Sequence, residues 1–185
     1  MISLATPRTL LRPWTSDDLD PFVELSLDTD VMKYIGDGKP KSPEAARSTF
    51  AQFPQSWDEN GFGLLAVERL DTGEFAGFTG LLIPDFLPEI LPAVEVGWRL
   101  TRSSWGLGLG SEAAGAMVDW AFESLGLERV VSVIQVENVR SQRLADRLGM
   151  QRERRTIVPN HGVWADVYEL HASQWQTMSR QPSAQ

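Results

Sequence analysis

The sequence predicts a single α/β domain, of the α+β kind, with a meandering sheet and one βαβ unit. Its 185 residues are about the length of one compact domain. Residues 62–70 and 74–83 are apolar, β-prone runs on either side of the turn sequence Asp71-Thr72-Gly73, which is typical of an antiparallel hairpin. A strand pattern at 93–100, a helical pattern at 109–125 and a strand pattern at 129–136 follow, and this order predicts two parallel neighbours with a right-handed crossover.

The first third of the chain predicts a short strand and two amphipathic helices. The strand covers residues 9–13, and the residues 15–18 after it supply a cap and an acidic first turn for a helix. Beyond a glycine-rich turn at 36–38, Ser42, Pro43 and Glu44 give the cap, first-position proline and acid of a second helix, which Asn60-Gly61 ends. Its apolar residues share one face: Ala46, Phe50, Phe53 and Trp57.

The segment 84–92 holds three prolines and is therefore predicted to be a loop outside the sheet. It nevertheless carries four large apolar side chains: Phe86, Leu87, Ile90 and Leu91. These side chains need an apolar surface, which leaves three possibilities open. They line an acceptor site, close a dimer, or fold back onto the sheet.

The strand at 93–100 alternates between an apolar and a polar face, so we expect it to be half-buried. The apolar face holds Val94, Val96, Trp98 and Leu100, and the polar face holds Glu95, Gly97 and Arg99. After the strand at 129–136, a short helix at 138–148 and strands near 151–158 and 164–171 complete the domain. We expect the domain to cover residues 1–176 and residues 177–185 to form a disordered tail.

Charge and composition restrict the function. The chain has 17 Lys and Arg against 25 Asp and Glu, a net charge of −8, which argues against binding to nucleic acid or to an anionic membrane surface. The absence of cysteine excludes disulfides, thiolate metal sites and a cysteine nucleophile, and it fits a reducing compartment. No signal peptide, membrane span or metal site is recognised, so we expect a cytoplasmic protein.

The segment 105–111, Trp-Gly-Leu-Gly-Leu-Gly-Ser, lies between the strand at 93–100 and the helix at 109–125. Glycines on alternate positions let backbone N–H groups turn toward one centre, and a helix N-terminus adds its positive dipole end. We therefore predict phosphate binding, with a plain turn as the alternative. A dinucleotide fingerprint, Gly108-x-Gly110-x-x-Ala113, matches formally, but it lies late in the chain and well after its strand, which disfavours that interpretation.

Four motifs together resemble the acetyl-CoA-binding core of the GNAT acetyltransferases, and among them the RimJ/RimL-like subfamily. They are Glu95-Val96-Gly97-Trp98, the segment 105–113, Asn138-x-x-Ser141 and Leu148-Gly149-Met150. The resemblance extends upstream to residues 8–13 and downstream to residues 162–175. It implies a mixed, mostly antiparallel sheet of six to seven strands with helices on both faces, whose two parallel strands splay apart to admit the pantetheine arm.

The resemblance also implies residues that bind acetyl-CoA, with CoA as the product. They are Val96, Gly97, Trp98, Trp105, Gly106, Leu107, Gly108, Leu109, Gly110, Ser111, Asn138, Ser141 and Arg143. Leu107 departs from the family, in which a basic residue often follows the first loop glycine. Affinity for CoA would then depend on Arg102, Arg140 or Arg143.

Amine acetylation needs a base, because an amine must be neutral to attack a thioester. Glu95 shares a face with Gly97, where the missing side chain leaves room for a substrate, and it matches the family's strand carboxylate. The alternatives are that Glu95 is an ordinary solvated glutamate and that His161, in the loop at 159–162, is the base. Ser141 matches the serine suggested to protonate the departing thiolate.

The sequence thus predicts an N-acetyltransferase that moves the acetyl group of acetyl-CoA directly to a primary amine. The acceptor is a protein or peptide N-terminus or a small molecule, and the negative net charge mildly favours cationic amines. An acyl-CoA-binding module without turnover is the alternative, and a dinucleotide oxidoreductase is a distant third. We expect a monomer or a homodimer.

Overall fold

A computed structural model describes residues 1–179 and contains an eight-stranded sheet in the order β1-β2-β3-β4-β5-β6-β8-β7. The strands are β1 (Leu4–Ala5), β2 (Thr9–Arg12), β3 (Leu64–Arg69), β4 (Phe75–Leu82), β5 (Glu95–Leu100), β6 (Arg129–Gln135), β7 (Gln151–Val158) and β8 (Val163–His171). All neighbours pair antiparallel except β5 and β6, which are parallel. The predicted fold class is confirmed, and the additional strand is β1, whose two residues are too few to show an alternating pattern.

Seven α-helices accompany the sheet in the described residues. They are α1 (Leu19–Leu27), α2 (Thr29–Met32), α3 (Pro43–Phe50), α4 (Phe53–Asn60), α5 (Leu109–Glu123), α6 (Val139–Arg147) and α7 (Ala172–Ser179). The Ser42 side chain caps α3 by accepting from the Ala45 N–H, and the Asn138 side chain caps α6. The structure describes no helix that is long and apolar enough to cross a membrane.

The predicted single helix from 42 to 60 is two helices, so this prediction was wrong in its length. The break falls between α3 and α4, just before Pro54. Proline has no N–H to donate to the carbonyl of Phe50, and its ring crowds that carbonyl, so a continuous helix is unfavourable there. Gly61 ends α4 as predicted, in the left-handed conformation with φ +74°.

Helices cover both faces of the sheet. On one face α5 packs on the central strands, with Ala113 and Met117 fully buried. On the other face α1, α2 and α3 pack around Phe78 of β4. Met32 of α2 contacts Arg99 on the predicted polar face of β5, and Glu95 on the same face is only 7% exposed. Gly97 and Arg99 of this face are partly exposed, so this face departs from the predicted half-buried pattern only at Glu95.

The loop 84–92 folds back onto the sheet with two of its four large apolar side chains, which is one of the three possibilities. Leu87 and Ile90 are buried against Val131 of β6 and Val167 of β8. At the end of the chain, α7 continues to Ser179, and residues 180–185 of the expected tail lie outside the described residues.

Candidate functional site

The parallel strands β5 and β6 separate soon after they meet. Their register contains one pair, Glu95 with Val131, and the Val131 N–H donates to the Val94 carbonyl at 2.9 Å. A regular parallel ladder would continue with further evenly spaced bonds. Here the backbones diverge, so the next N–H and C=O groups need other partners.

Two side chains supply those partners. The Val133 N–H donates to Glu95 Oε1 at 3.0 Å, and the Ser132 hydroxyl donates to the Val96 carbonyl at 2.6 Å. Each bond satisfies a backbone group that the separation of the strands exposes. The opening between β5 and β6 is therefore stabilised by specific side chains.

A cavity of about 370 Å³ occupies this opening. Adjacent residues of a strand point to opposite faces of the sheet, and both Val96 and Glu95 line the cavity, so it reaches both faces. On the α6 side its wall includes Val96, Trp98, Asn138 and Ser141. On the other side its wall includes Tyr34, Lys41, Phe86, Glu95, Arg99 and His161.

Glu95 is a buried carboxyl group in the cavity wall. Burial raises the pKa of Glu95 to about 7, although the hydrogen bond from the Val133 N–H favours the charged form and opposes this effect. The group is therefore partly ionised near neutral pH, which suits a general base. It is not the solvated glutamate that the strand pattern also allowed.

Ser141 and Asn138 lie together at the start of α6. The Asn138 Oδ1 accepts from the Ser141 N–H at 3.2 Å, so Asn138 caps the helix while its amide N remains available to a ligand. The Ser141 Oγ accepts a hydrogen bond from Trp98 Nε1 at 3.3 Å. With Trp98 as the donor, the hydroxyl proton of Ser141 is available to another group.

The glycine segment 106–108 is exposed and strongly curved. Gly106 and Gly108 adopt φ values of +76° and +81°, which favour glycine. In the described part of the chain no protein acceptor takes the N–H groups of residues 106–111, which include those of the first turn of α5. The segment therefore presents unpaired donors at a helix N-terminus, the arrangement that binds phosphate oxygens.

Arg8 holds this segment in place, a role that the sequence did not reveal. Its Nη1 donates to the Leu107 carbonyl at 2.8 Å, and its Nε donates to Glu112 Oε2 at 2.7 Å. Glu112 also accepts from the Arg8 N–H and the Thr6 hydroxyl. Gly110 has a packing role, because a Cβ there would lie 3.0 Å from Leu144.

The cavity brings together only part of the residues that the resemblance implies. Glu95, Val96, Gly97, Trp98, Asn138 and Ser141 line it. The segment 105–111 and Arg143 lie outside its wall, and Arg143 is exposed on α6. Arg140 stacks on the Trp105 ring at 4.0 Å, and Arg102 pairs with Asp30 at 2.9 Å. The role of Arg143 stays a prediction.

Sequence reasoning missed Arg99 and Lys41 as site residues, although both line the cavity. The signal for Arg99 was present, because it shares a strand face with Glu95 and Gly97. Lys41 lies in an irregular segment before α3, and only the fold shows that its side chain lines the cavity. Gln135 was also missed; its side chain donates to the Gly36 carbonyl at 3.0 Å and holds the 36–38 turn against the cavity.

Comparison with known proteins agrees with this geometry. The model of the family "Acetyltransferase (GNAT) domain" matches residues 8–151. The chain is 29% identical over 150 residues to "Uncharacterized N-acetyltransferase YoaA" of Bacillus subtilis (strain 168), a match that covers 81% of this chain and 83% of that protein.

Solved structures show the same fold. An acetyltransferase from Agrobacterium tumefaciens str. C58 matches with a TM-score of 0.79 and 28% identity, covering 92% of this chain and 95% of that one. A spermidine N-acetyltransferase from Vibrio cholerae, solved in complex with CoA and spermine, matches with a TM-score of 0.73 over 91% of this chain and 98% of that one. Its identity is 16%, so this likeness concerns the fold alone.

Proposed function

Because this chain belongs to the GNAT acetyltransferase domain family, we propose that it is an acetyl-CoA-dependent N-acetyltransferase acting on a primary amine. The observation that carries the proposal is the buried carboxyl of Glu95, which lines the same cavity as Ser141 at the opening between β5 and β6. The acceptor is a protein or peptide N-terminus or a small-molecule amine, and we propose that the chain belongs to the RimJ/RimL-like subfamily. The absence of cysteine supports a cytoplasmic location.

The residues present fit acetyl-CoA. The unpaired N–H groups of residues 106–111 would bind the pyrophosphate, because they need no basic side chain to do so. The strand residues 96–98 and the free amide N of Asn138 would hold the pantetheine arm in the opening, and Arg143 would contact a phosphate. When bound, acetyl-CoA supplies the acetyl group as a thioester that an amine can attack.

Glu95 would take the proton that the amine loses. Its Oε1 accepts from the Val133 N–H, which leaves Oε2 for the substrate. A pKa of about 7 keeps a substantial fraction of the carboxylate ionised at neutral pH, while it accepts a proton more readily than an exposed glutamate does. The group both holds the strands apart and receives the proton.

Ser141 would give a proton to the thiolate as it departs. Its Oγ already accepts a hydrogen bond from Trp98 Nε1, so its own proton is directed elsewhere. The hydroxyl lies across the cavity opening from the Glu95 face of β5. A thiolate is a fair leaving group even without this help, so Ser141 contributes less than Glu95.

Glu95→Gln tests the proposal. The amide oxygen still accepts from the Val133 N–H, so the opening is retained, but the side chain no longer accepts a proton at neutral pH. We expect kcat to fall about 10²–10⁴-fold with unchanged acetyl-CoA affinity by calorimetry. His161→Ala is the control and should change kcat by less than about 10-fold.

Two results would contradict the proposal. A Glu95→Gln rate within a few-fold of the parent would remove Glu95 as the base. If the parent binds acetyl-CoA but releases no CoA with any amine of a broad panel, the protein is the acyl-CoA-binding module without turnover. Nicotinamide dinucleotides are the negative control for phosphate binding by residues 106–111, and we expect them not to bind.

A further inference from the structure

Two basic side chains line the acceptor side of the cavity without an acidic partner. Arg99 lies on β5, two residues beyond Gly97, and Lys41 lies in the segment that precedes α3. In residues 1–179 neither of them forms an ion pair with a carboxylate. Buried or half-buried charges in proteins are normally paired, so two together require an explanation.

The surroundings of Arg99 satisfy its guanidinium poorly. Its Nε is shielded from solvent and donates to no partner in the described chain. Its Nη1 contacts the sulfur of Met32 at 3.5 Å, and its Cζ lies 5.1 Å from the centre of the Phe78 ring. Sulfur is a weak acceptor, so the strong donors of Arg99 have capacity left for a ligand.

Lys41 is held at the same cavity as Arg99. Its Nζ donates to the Thr49 hydroxyl at 2.6 Å, and its backbone N–H donates to the Ser26 carbonyl at 3.0 Å, which fixes it against α1 and α3. Burial and the charge of Arg99 lower the pKa of Lys41. Two like charges that repel each other are therefore retained at one wall of the cavity.

Glu95 does not neutralise them. In the described residues neither cation forms an ion pair with Glu95, whose Oε1 accepts from the Val133 N–H. Glu95 and Arg99 are four residues apart on one strand face, about 13 Å between Cα atoms, with only Gly97 between them on that face. Both side chains leave the strand on this face, so a molecule that lies between them over Gly97 can contact both groups.

We propose that the acceptor is a small apolar amine that also carries a carboxylate, which Arg99 and Lys41 bind while its amine reaches Glu95. This inference rests on the proposed function, since it concerns the acceptor of that reaction. A guanidinium matches a carboxylate through two parallel N–H bonds. The cavity wall also includes four phenylalanines, Phe22, Phe53, Phe78 and Phe86, which suit an apolar side chain. A polyamine, which is cationic throughout, is disfavoured by the same two charges.

The first experiment compares phenylalanine with phenethylamine, which lacks only the carboxylate, as acceptors at saturating acetyl-CoA. We expect kcat/KM to favour phenylalanine at least 10-fold. Arg99→Met should remove this preference, and Lys41→Met should reduce it. The control is Lys39→Met, near Lys41 in sequence but with a side chain that is 80% exposed, and it should leave the preference unchanged.

The second experiment needs no turnover. Calorimetry compares 3-phenylpropionate with 3-phenylpropionamide as ligands of the CoA-loaded protein, and we expect the carboxylate to bind at least 10-fold tighter in the parent and equally in Arg99→Met. If no amine is acetylated, the proposed function fails, but this measurement still decides the inference. Should Arg99→Met not fold, Lys41→Met carries the same comparison.

Three results would overturn the inference. One is a parent protein that does not prefer the carboxylate in either experiment, and another is a preference that survives both Arg99→Met and Lys41→Met. The third is an acetyl-CoA affinity that falls at least 10-fold in Arg99→Met with the carboxylate preference intact. That result would assign the two cations to the cofactor.

Discussion

Arg12 and Arg99 are both largely withdrawn from solvent on strands of the same sheet, yet their surroundings differ completely. Arg12 donates to both carboxylate oxygens of Asp18, at 2.7 and 2.9 Å, and to Glu68 at 2.7 Å. Arg99 faces an aromatic ring and a sulfur, and its Nε has no partner among the residues that the structure describes. The first arginine completes its bonds inside the chain and stabilises the fold. The second keeps its donors for a molecule from outside.

The carboxyl groups near these two arginines, Asp18 beside Arg12 and Glu95 on the strand of Arg99, differ in the same way. Asp18 accepts from Arg12, from the Thr15 N–H and from the Thr15 hydroxyl, and these bonds lower the pKa of Asp18 against the opposing effect of burial. Glu95 accepts one backbone bond, and burial raises its pKa to about 7. The charged form of Asp18, with its hydrogen bonds complete, therefore favours folding. For Glu95 it is the neutral form that favours folding.

The largest effect on stability is expected for Arg12→Met. The substitution leaves Asp18, whose side chain is 3% exposed, as a buried carboxylate without its cation. Removing one partner of such a pair destabilises strongly, and we expect a loss of about 3 kcal/mol in the free energy of unfolding at pH 7. Urea denaturation measures it. A loss below about 1 kcal/mol would mean that the Arg12 region is no more important for stability than a surface ion pair.

Glu95→Gln is expected to stabilise the protein at high pH, opposite in sign to the Arg12 result. The folded pKa of Glu95, about 7, lies above its ordinary value of 4.5. The favourable contribution of the protonated group is therefore complete below about pH 4.5 and is lost as the pH rises through 7. At pH 8 the variant should be more stable than the parent by about 3 kcal/mol, and at pH 4.5 the two should be nearly equal.

Asp18→Asn is the matched control for that pH dependence. Because the pKa of Asp18 is lowered on folding, the stability it provides is present above its ordinary pKa of 3.8 and is lost as the pH falls below it. This variant should therefore be destabilised at pH 8 and approach the parent in acid. Parallel pH profiles for Glu95→Gln and Asp18→Asn would contradict the distinction between the two regions.

Arg99→Met is expected to raise stability by about 1 kcal/mol or more, while it impairs acceptor binding. Replacing a buried charge by an apolar side chain of similar length is often stabilising, and Met32 and Phe78 provide an apolar environment for it. Thermal denaturation of Arg99→Met beside Arg12→Met gives the comparison directly. If both variants lose stability equally, the free donors of Arg99 have a structural role instead.

Much of the fold was predictable because its signals are local. Ser42 and Asn138 cap their helices, Gly61 ends one in the left-handed conformation, and the 71–73 turn joins a hairpin, all within a few residues of the structure they determine. Glu95 and Ser141 were nominated from the sequence, and the fold places both on one cavity.

What the sequence did not reveal depends on distant residues. Glu95 shares its cavity with Tyr34, Lys41 and Phe86, which come from other parts of the chain, so alternation within the strand could not show that Glu95 is buried. The same argument applies to Arg8, whose partners Leu107 and Glu112 lie about a hundred residues away. The sequence alone does not distinguish an arginine that bonds within the chain, such as Arg12, from one whose donors are left for a ligand, as we propose for Arg99.

The smallest expected effect concerns acetyl-CoA affinity, because the proposed phosphate-binding groups are the backbone N–H groups of residues 106–111. Arg8 holds the Leu107 carbonyl, so Arg8→Met would free the loop and raise the entropy lost on binding acetyl-CoA. We expect the Kd for acetyl-CoA to rise about 3- to 10-fold, a change of roughly 1 kcal/mol, by calorimetry. The side chain of Arg8 is 53% exposed, so stability should change by less than about 1 kcal/mol.

Arg47→Met, at an exposed position of α3, is the control for Arg8→Met. An unchanged Kd in Arg8→Met would mean that the glycine segment keeps its curvature without this contact.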